Sequence, residues 1–67
     1  MTNKEFAKHF GIELGKQYNF MGKVVIPFDA EKEINQLGIS SGFIHFREGD
    51  KVRWCGMNYF KKNMIPV

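Results

Sequence analysis

The sequence predicts a small α+β domain, and three observations carry that expectation. Two runs rich in aromatic and β-branched residues, Phe43 to Arg47 and Lys51 to Cys55, flank the turn signal Glu48-Gly49-Asp50. Two short helix signals, one at the N-terminus and one beginning at Asp29, lie outside those runs. The chain has 67 residues. That is one domain, and a domain of this size buries only about 60% of the surface its unfolded chain exposes. Seven Phe, two Tyr and one Trp offset the small size, because each aromatic ring buries a large area.

Thr2 and Glu5 have the spacing of a capping box. Phe6 and Phe10 then share one helical face, Lys8 and His9 suit the negative end of the helix dipole, and Gly11 is placed to end the helix. Two turns cannot hold themselves without packing. A terminal helix covering one open end of a sheet outweighs the first helix of a helix-turn-helix. Gln17 to Met21 and Val24 to Phe28 follow as two short strands, or as one strand bent at Gly22. Val24-Val25-Ile26 has the character of a buried strand, and Pro27 is expected to end its ladder. Gly15-Lys16 and Gly22-Lys23 lack the spacing of a phosphate-binding loop and are expected to be turns. Asp29 is a candidate N-cap for a helix over Ala30 to Leu37, whose Ala30, Ile34 and Leu37 share a face and whose Glu31 and Glu33 sit early. Gly38 would stop that helix, Ile39 would return to the core, and Ser40-Ser41-Gly42 would connect flexibly to the hairpin.

Side chains in a strand alternate between faces. A Glu48-Gly49-Asp50 loop of three residues brings Ile44 and Phe46 onto one face with Val52 and Trp54. The opposite face would then carry His45, Arg47, Lys51 and Arg53, with Phe43 at its edge. After Gly56 come Tyr59-Phe60, the polar Lys61-Lys62-Asn63 and Met64-Ile65-Pro66-Val67. This last third resembles the end of an SH3-like barrel, where a strand meets an aromatic residue, one 3₁₀ turn follows and a short strand closes the barrel. The resemblance implies a small, partly open antiparallel barrel with two short helices. Lys61 stands where the peptide-binding family has proline, and no acidic, tyrosine-rich first loop is visible. The topology is therefore carried over and the proline-peptide pocket is not. A winged helix is the alternative, with 30–37 as a helix and Phe43 to Trp54 as the wing. It requires a proper helix over Tyr59 to Met64, where the barrel requires one turn.

Composition limits the chemistry. One cysteine leaves no intramolecular disulfide and suits a reducing, cytoplasmic setting. No run approaches the roughly 18 apolar residues of a membrane span, and no signal peptide is visible. His9, His45 and Cys55 lack the spacing of a zinc site, and no cofactor is implied. His45 and Cys55 lie on neighbouring strands with the same expected facing, so contact is conceivable, but no third residue orients the imidazole. Glu31 with Glu33, and Glu48 with Asp50, have ordinary jobs at a helix start and a turn. No enzyme is expected.

The net charge of +3 is mild, but between Arg47 and Lys62 five basic residues face two acids. Phe43, His45, Arg47, Lys51 and Arg53, joined by Tyr59, Lys61 and Lys62, form the candidate binding set. Such a surface suits an acidic protein or, through cations and stacked rings, a nucleic acid. A solvated sheet face looks the same. Trp54, Tyr59 and Phe60 read first as core and second as interface anchors. The functional expectation is an adaptor or inhibitor that docks on a larger cellular protein, with a nucleic-acid-binding barrel as the alternative. In size and style the chain resembles the accessory proteins that phages and mobile elements encode against host machinery. The oligomeric state is open.

Overall fold

A computed structural model of the chain describes residues 2–34 and 40–67. The elements run α1 (Asn3–His9), β1 (Tyr18–Phe20), β2 (Lys23–Ile34), β3 (Ser40–Glu48), β4 (Lys51–Gly56), α2 (Met57–Asn63) and β5 (Met64–Pro66). The fold is α+β, with one antiparallel sheet in the order β4-β3-β2-β1-β5. The sheet does not close, since β4 and β5 remain at its two ends.

Helix α1 forms where its caps place it. The Thr2 hydroxyl accepts from the Glu5 backbone N–H at 3.1 Å. At the other end Gly11, at φ +78°, donates to the Lys8 carbonyl and Ile12 donates to the Ala7 carbonyl. That pair of bonds is a Schellman motif, with the buried Ile12 closing over the buried Ala7. The helix lies against β2 and the next element in the chain is the strand β1, so it is the covering helix rather than the first half of a helix-turn-helix. Phe6 sits over Gly42, where an added Cβ would lie 2.6 Å from its ring and closer still to the Glu31 carbonyl.

Strands β1 and β2 are joined by Met21 and Gly22, both at positive φ (54° and 84°). That is the type I′ geometry, whose twist suits a two-residue hairpin. Strand β2 departs from the sequence expectation twice. Pro27 does not end the ladder but stays within it, at a β-bulge between Pro27 and Asp29 where a missing N–H is tolerated. Asp29 to Ile34 continue as strand and pair with β3 from His45 back to Ser40. The helix expected over Ala30 to Leu37 is therefore absent over 30–34, and with it the helix a winged fold requires; 35–39, including Gly38 and Ile39, lie outside the described residues. A two-turn helix gains little alone, whereas a long ladder satisfies its backbone groups and still buries Ala30. Ser40-Ser41-Gly42 likewise belong to β3 rather than to a flexible connection.

The β3–β4 hairpin exists, but its facing reverses the expectation for β4. Glu48 pairs with Lys51, so the loop is the two residues Gly49 and Asp50 rather than three. A positive φ at Gly49 alone matches a type II′ turn. This register sets Phe46 opposite Arg53 and Ile44 opposite Cys55. Ile44 (0% exposed) and Phe46 (3%) point inward as expected, while Val52 (59%) and Trp54 (63%) look out at solvent. One residue in the loop decides it, because side chains alternate with period two.

Helix α2, with seven residues and Met64 as its C-cap, is a proper helix rather than the one turn expected of the barrel, so on this segment the structure meets the requirement of the winged alternative. It sets Met57 and Phe60 into the core, where Phe60 stacks on Phe20 at 4.8 Å and tilts against Phe46 at 5.3 Å. Strand β5 then returns to pair with β1, Ile65 opposite Asn19. Both helices thus cover the same face of the sheet.

Candidate functional site

The other face carries no helix among the described residues. Alternation along β3 puts Phe43, His45 and Arg47 there, and the hairpin register adds Val52 and Trp54. From β2 come Ile26, the bulge residue Phe28 and Glu31, whereas the Asp29 carboxylate accepts from Asn3 Nδ2 of α1 at 3.0 Å and from the Ala30 N–H at 2.9 Å. Val24 and Ile65 extend the exposed apolar surface toward β5. The rings are organised. Trp54 meets Phe43 edge to face at 5.4 Å, Phe28 lies 6.3 Å from the His45 ring, and the Arg47 guanidinium sits over Phe28 at 5.5 Å.

His45 Nε2 lies 3.3 Å from a Glu31 carboxylate oxygen, but their orientation does not make a hydrogen bond. The nitrogen is shielded from water and has no hydrogen-bond partner among the described residues. Glu31, Phe43, His45 and Trp54 line a small pocket of about 160 Å³ there.

The basic set expected on one face is therefore divided. Phe43, His45 and Arg47 are together on the uncovered face. Lys51 and Arg53 project to the opposite side of β4, the side of Phe46 and Glu48. Tyr59, Lys61 and Lys62 are exposed on α2. Of the three rings with two readings, Phe60 is core, whereas Trp54 and Tyr59 are at the surface.

On the side of Arg53 lies a larger cleft of about 600 Å³, between the β1–β2 turn and the β3–β4 hairpin. Phe20, Met21, Phe46 and Cys55 form its apolar part, with Val52 and Trp54 of the edge strand β4 also on its border. Glu48 is a strand residue here rather than a solvated turn residue, and it is paired with Arg53 at 3.1 Å and Lys23 at 3.5 Å. The Tyr59 hydroxyl donates to Met21 Sδ at 3.4 Å beside the cleft.

The hairpin register also separates the expected Cys-His neighbours. His45 is opposite Trp54 and Cys55 is opposite Ile44, so the two project to different faces. Burial raises the Cys55 thiol above its ordinary pKa, which lowers the thiolate fraction. Among the described residues no group of three His, Cys, Asp or Glu side chains converges on a metal position. No helix among them is long and apolar enough to cross a membrane.

Sequence reasoning did not place Val52, Trp54, Phe28 and Glu31 in the site. A signal for the first two was present, since Gly-Asp is also a two-residue hairpin loop and that reading reverses their facing. Phe28 and Glu31 depend on a bulge and on a strand that local pattern concealed. No family model matches the chain, and no curated protein or solved structure matches it either.

Proposed function

We propose that this chain is a non-enzymatic binding protein that docks on a larger cellular protein, as an adaptor or inhibitor, through the uncovered face of its sheet. The observation that carries this reading is Trp54 and Val52 standing 63% and 59% exposed on that face, with Phe28 and Phe43 beside them. Contiguous exposed apolar surface on a small domain marks an interaction site, and Trp and Arg are the usual anchors of protein interfaces. Arg47, His45 and Glu31 surround the rings with polar groups, the arrangement of an interface rim.

The fold reading that accompanies this function is a partly open SH3-like barrel. It is supported by the meander β1 to β4 and by β5 returning to β1 after α2, although α2 is longer than a single 3₁₀ turn. A cytoplasmic setting fits the unpaired Cys55. An accessory protein acting on host machinery is one form of this reading, since occupying a host protein needs only a rigid face with a few anchors such as Trp54 and Val52.

The test is capture from cell lysate by the purified chain, with bound proteins identified by mass spectrometry. Val52→Asp is run in parallel. A protein held by the wild type and lost with the folded variant supports the reading. Equal capture by both refutes it. The nucleic-acid reading is favoured by a different surface, the exposed Tyr59, Lys61 and Lys62 on α2. It requires affinity for DNA or RNA that falls steeply with salt.

A further inference from the structure

We infer that the pocket between Trp54, Phe43, His45 and Glu31 receives the cationic end of a basic side chain, Lys or Arg, from the docked protein. The inference deepens the docking reading and rests on it for the source of the ligand.

Three features of the pocket agree on that ligand. Its walls are two aromatic rings, Phe43 and Trp54, held nearly perpendicular at 86°. Ring faces carry negative electrostatic potential and attract cations, most strongly at Trp. Its rim is the Glu31 carboxylate, whose side chain remains 62% exposed and able to accept from a donor arriving from outside. Its floor is His45, whose Nε2 faces that carboxylate without a hydrogen bond. A donor with several N–H groups could bond Glu31 and fill the space beside the imidazole. An apolar side chain would leave the carboxylate partly desolvated, and an acidic one would be repelled by it.

The surrounding charge favours the same occupant. Glu33, two residues from Glu31 in an unbroken register, projects to the same face. The opposing cation is Arg47, two residues along β3 from His45 and drawn over the Phe28 ring. The volume of about 160 Å³ is enough for the end of one side chain. The sequence had suggested a basic docking face for an acidic partner. At this end of the sheet the complement is reversed.

Trp54 is the single tryptophan and forms a wall of the pocket, so its fluorescence reports occupancy directly. The probes are acetyl-Gly-Lys-Gly-amide, its norleucine counterpart of similar length without the charge, and its glutamate counterpart. The lysine peptide is expected to change Trp54 emission in a saturable way. The other two are expected to have no saturable effect. Glu31→Gln is expected to weaken the lysine peptide about fivefold, the scale of one exposed cation contact. Because Glu31 is at the surface, this variant should keep the wild-type circular dichroism spectrum. Lysine and norleucine peptides that titrate alike would overturn the inference, as would a Glu31→Gln protein that binds the lysine peptide like wild type. Those failures leave the lysate result with Val52→Asp intact, whereas loss of that result with the peptide result standing would remove only the docking reading.

Discussion

Trp54→Ser and Phe46→Ala should separate the two faces of the hairpin in a stability measurement. Trp54 is 63% exposed, so about a third of the roughly 250 Å² a buried Trp covers is withdrawn from water. At about 25 cal/mol per Å² this is about 2 kcal/mol, and an upper bound because unfolded chains already bury some surface. Phe46 is 3% exposed and packs edge to face on Phe20 at 5.4 Å and against Phe60 at 5.3 Å. Its truncation should cost about 3–5 kcal/mol, transfer and cavity together. A domain of 67 residues has about 3–10 kcal/mol in total at the usual stability per residue, so Phe46→Ala should remove from about a third to all of it and is unfolded at the low end of that range. Phe46→Leu keeps the comparison measurable if it is. Val52→Thr is the cleanest probe of facing, being nearly isosteric. Exposed, it should change stability by less than about 0.5 kcal/mol; buried, the unpartnered hydroxyl would cost about 1–3 kcal/mol. Urea unfolding followed by far-UV circular dichroism reads all four variants without depending on the tryptophan. Trp54→Ser as costly as Phe46→Ala, together with a cost above 1 kcal/mol for Val52→Thr, would show that β4 faces the other way.

Gly42→Ala should lower stability by about 1–3 kcal/mol, because its methyl would meet the Phe6 ring at 2.6 Å and the Glu31 carbonyl more closely. Phe6→Leu should restore only part of it, since the carbonyl is backbone; an unchanged melting temperature for Gly42→Ala would mean that α1 does not pack there. Met21→Asn should raise stability by about 0.5–1 kcal/mol, since Asn tolerates the φ of +54° better than Met. A melting temperature that fails to rise would count against the type I′ turn. Cys55 should alkylate more slowly than free cysteine at pH 8, and at the ordinary rate in urea, because burial holds its thiol protonated. The sign for stability follows: the folded state binds this proton more tightly, so stability should fall slightly as pH climbs from the thiol's unfolded value toward its raised one. Equal alkylation rates folded and unfolded would contradict the burial.

What could be read from the residues themselves is the punctuation of the chain and much of its core. Thr2, Glu5 and Gly11 delimit α1 through bonds within a few residues, and Gly15 and Gly22 mark turns that need positive φ. The strands before and after Gly49, the strand that follows α2, and the burial of Phe6, Ile44, Phe46 and Phe60 were legible for the same reason. Each depends on a local conformational preference or on plain hydrophobicity.

The tertiary structure decided which side of β4 is the surface and whether 30–34 is helix or strand. Trp54 and Val52 are as apolar as core residues, and only the pairing of Glu48 with Lys51 turns them outward. Ala30 has helical spacing to Ile34, yet β3 offers the backbone of β2 a ladder that no nearby residue announces. A strand's facing is a property of its hydrogen-bonded partner, and that partner lies many residues away. The candidate site is built from such facings, so the residue types were visible in the chain while their assembly on one face was not.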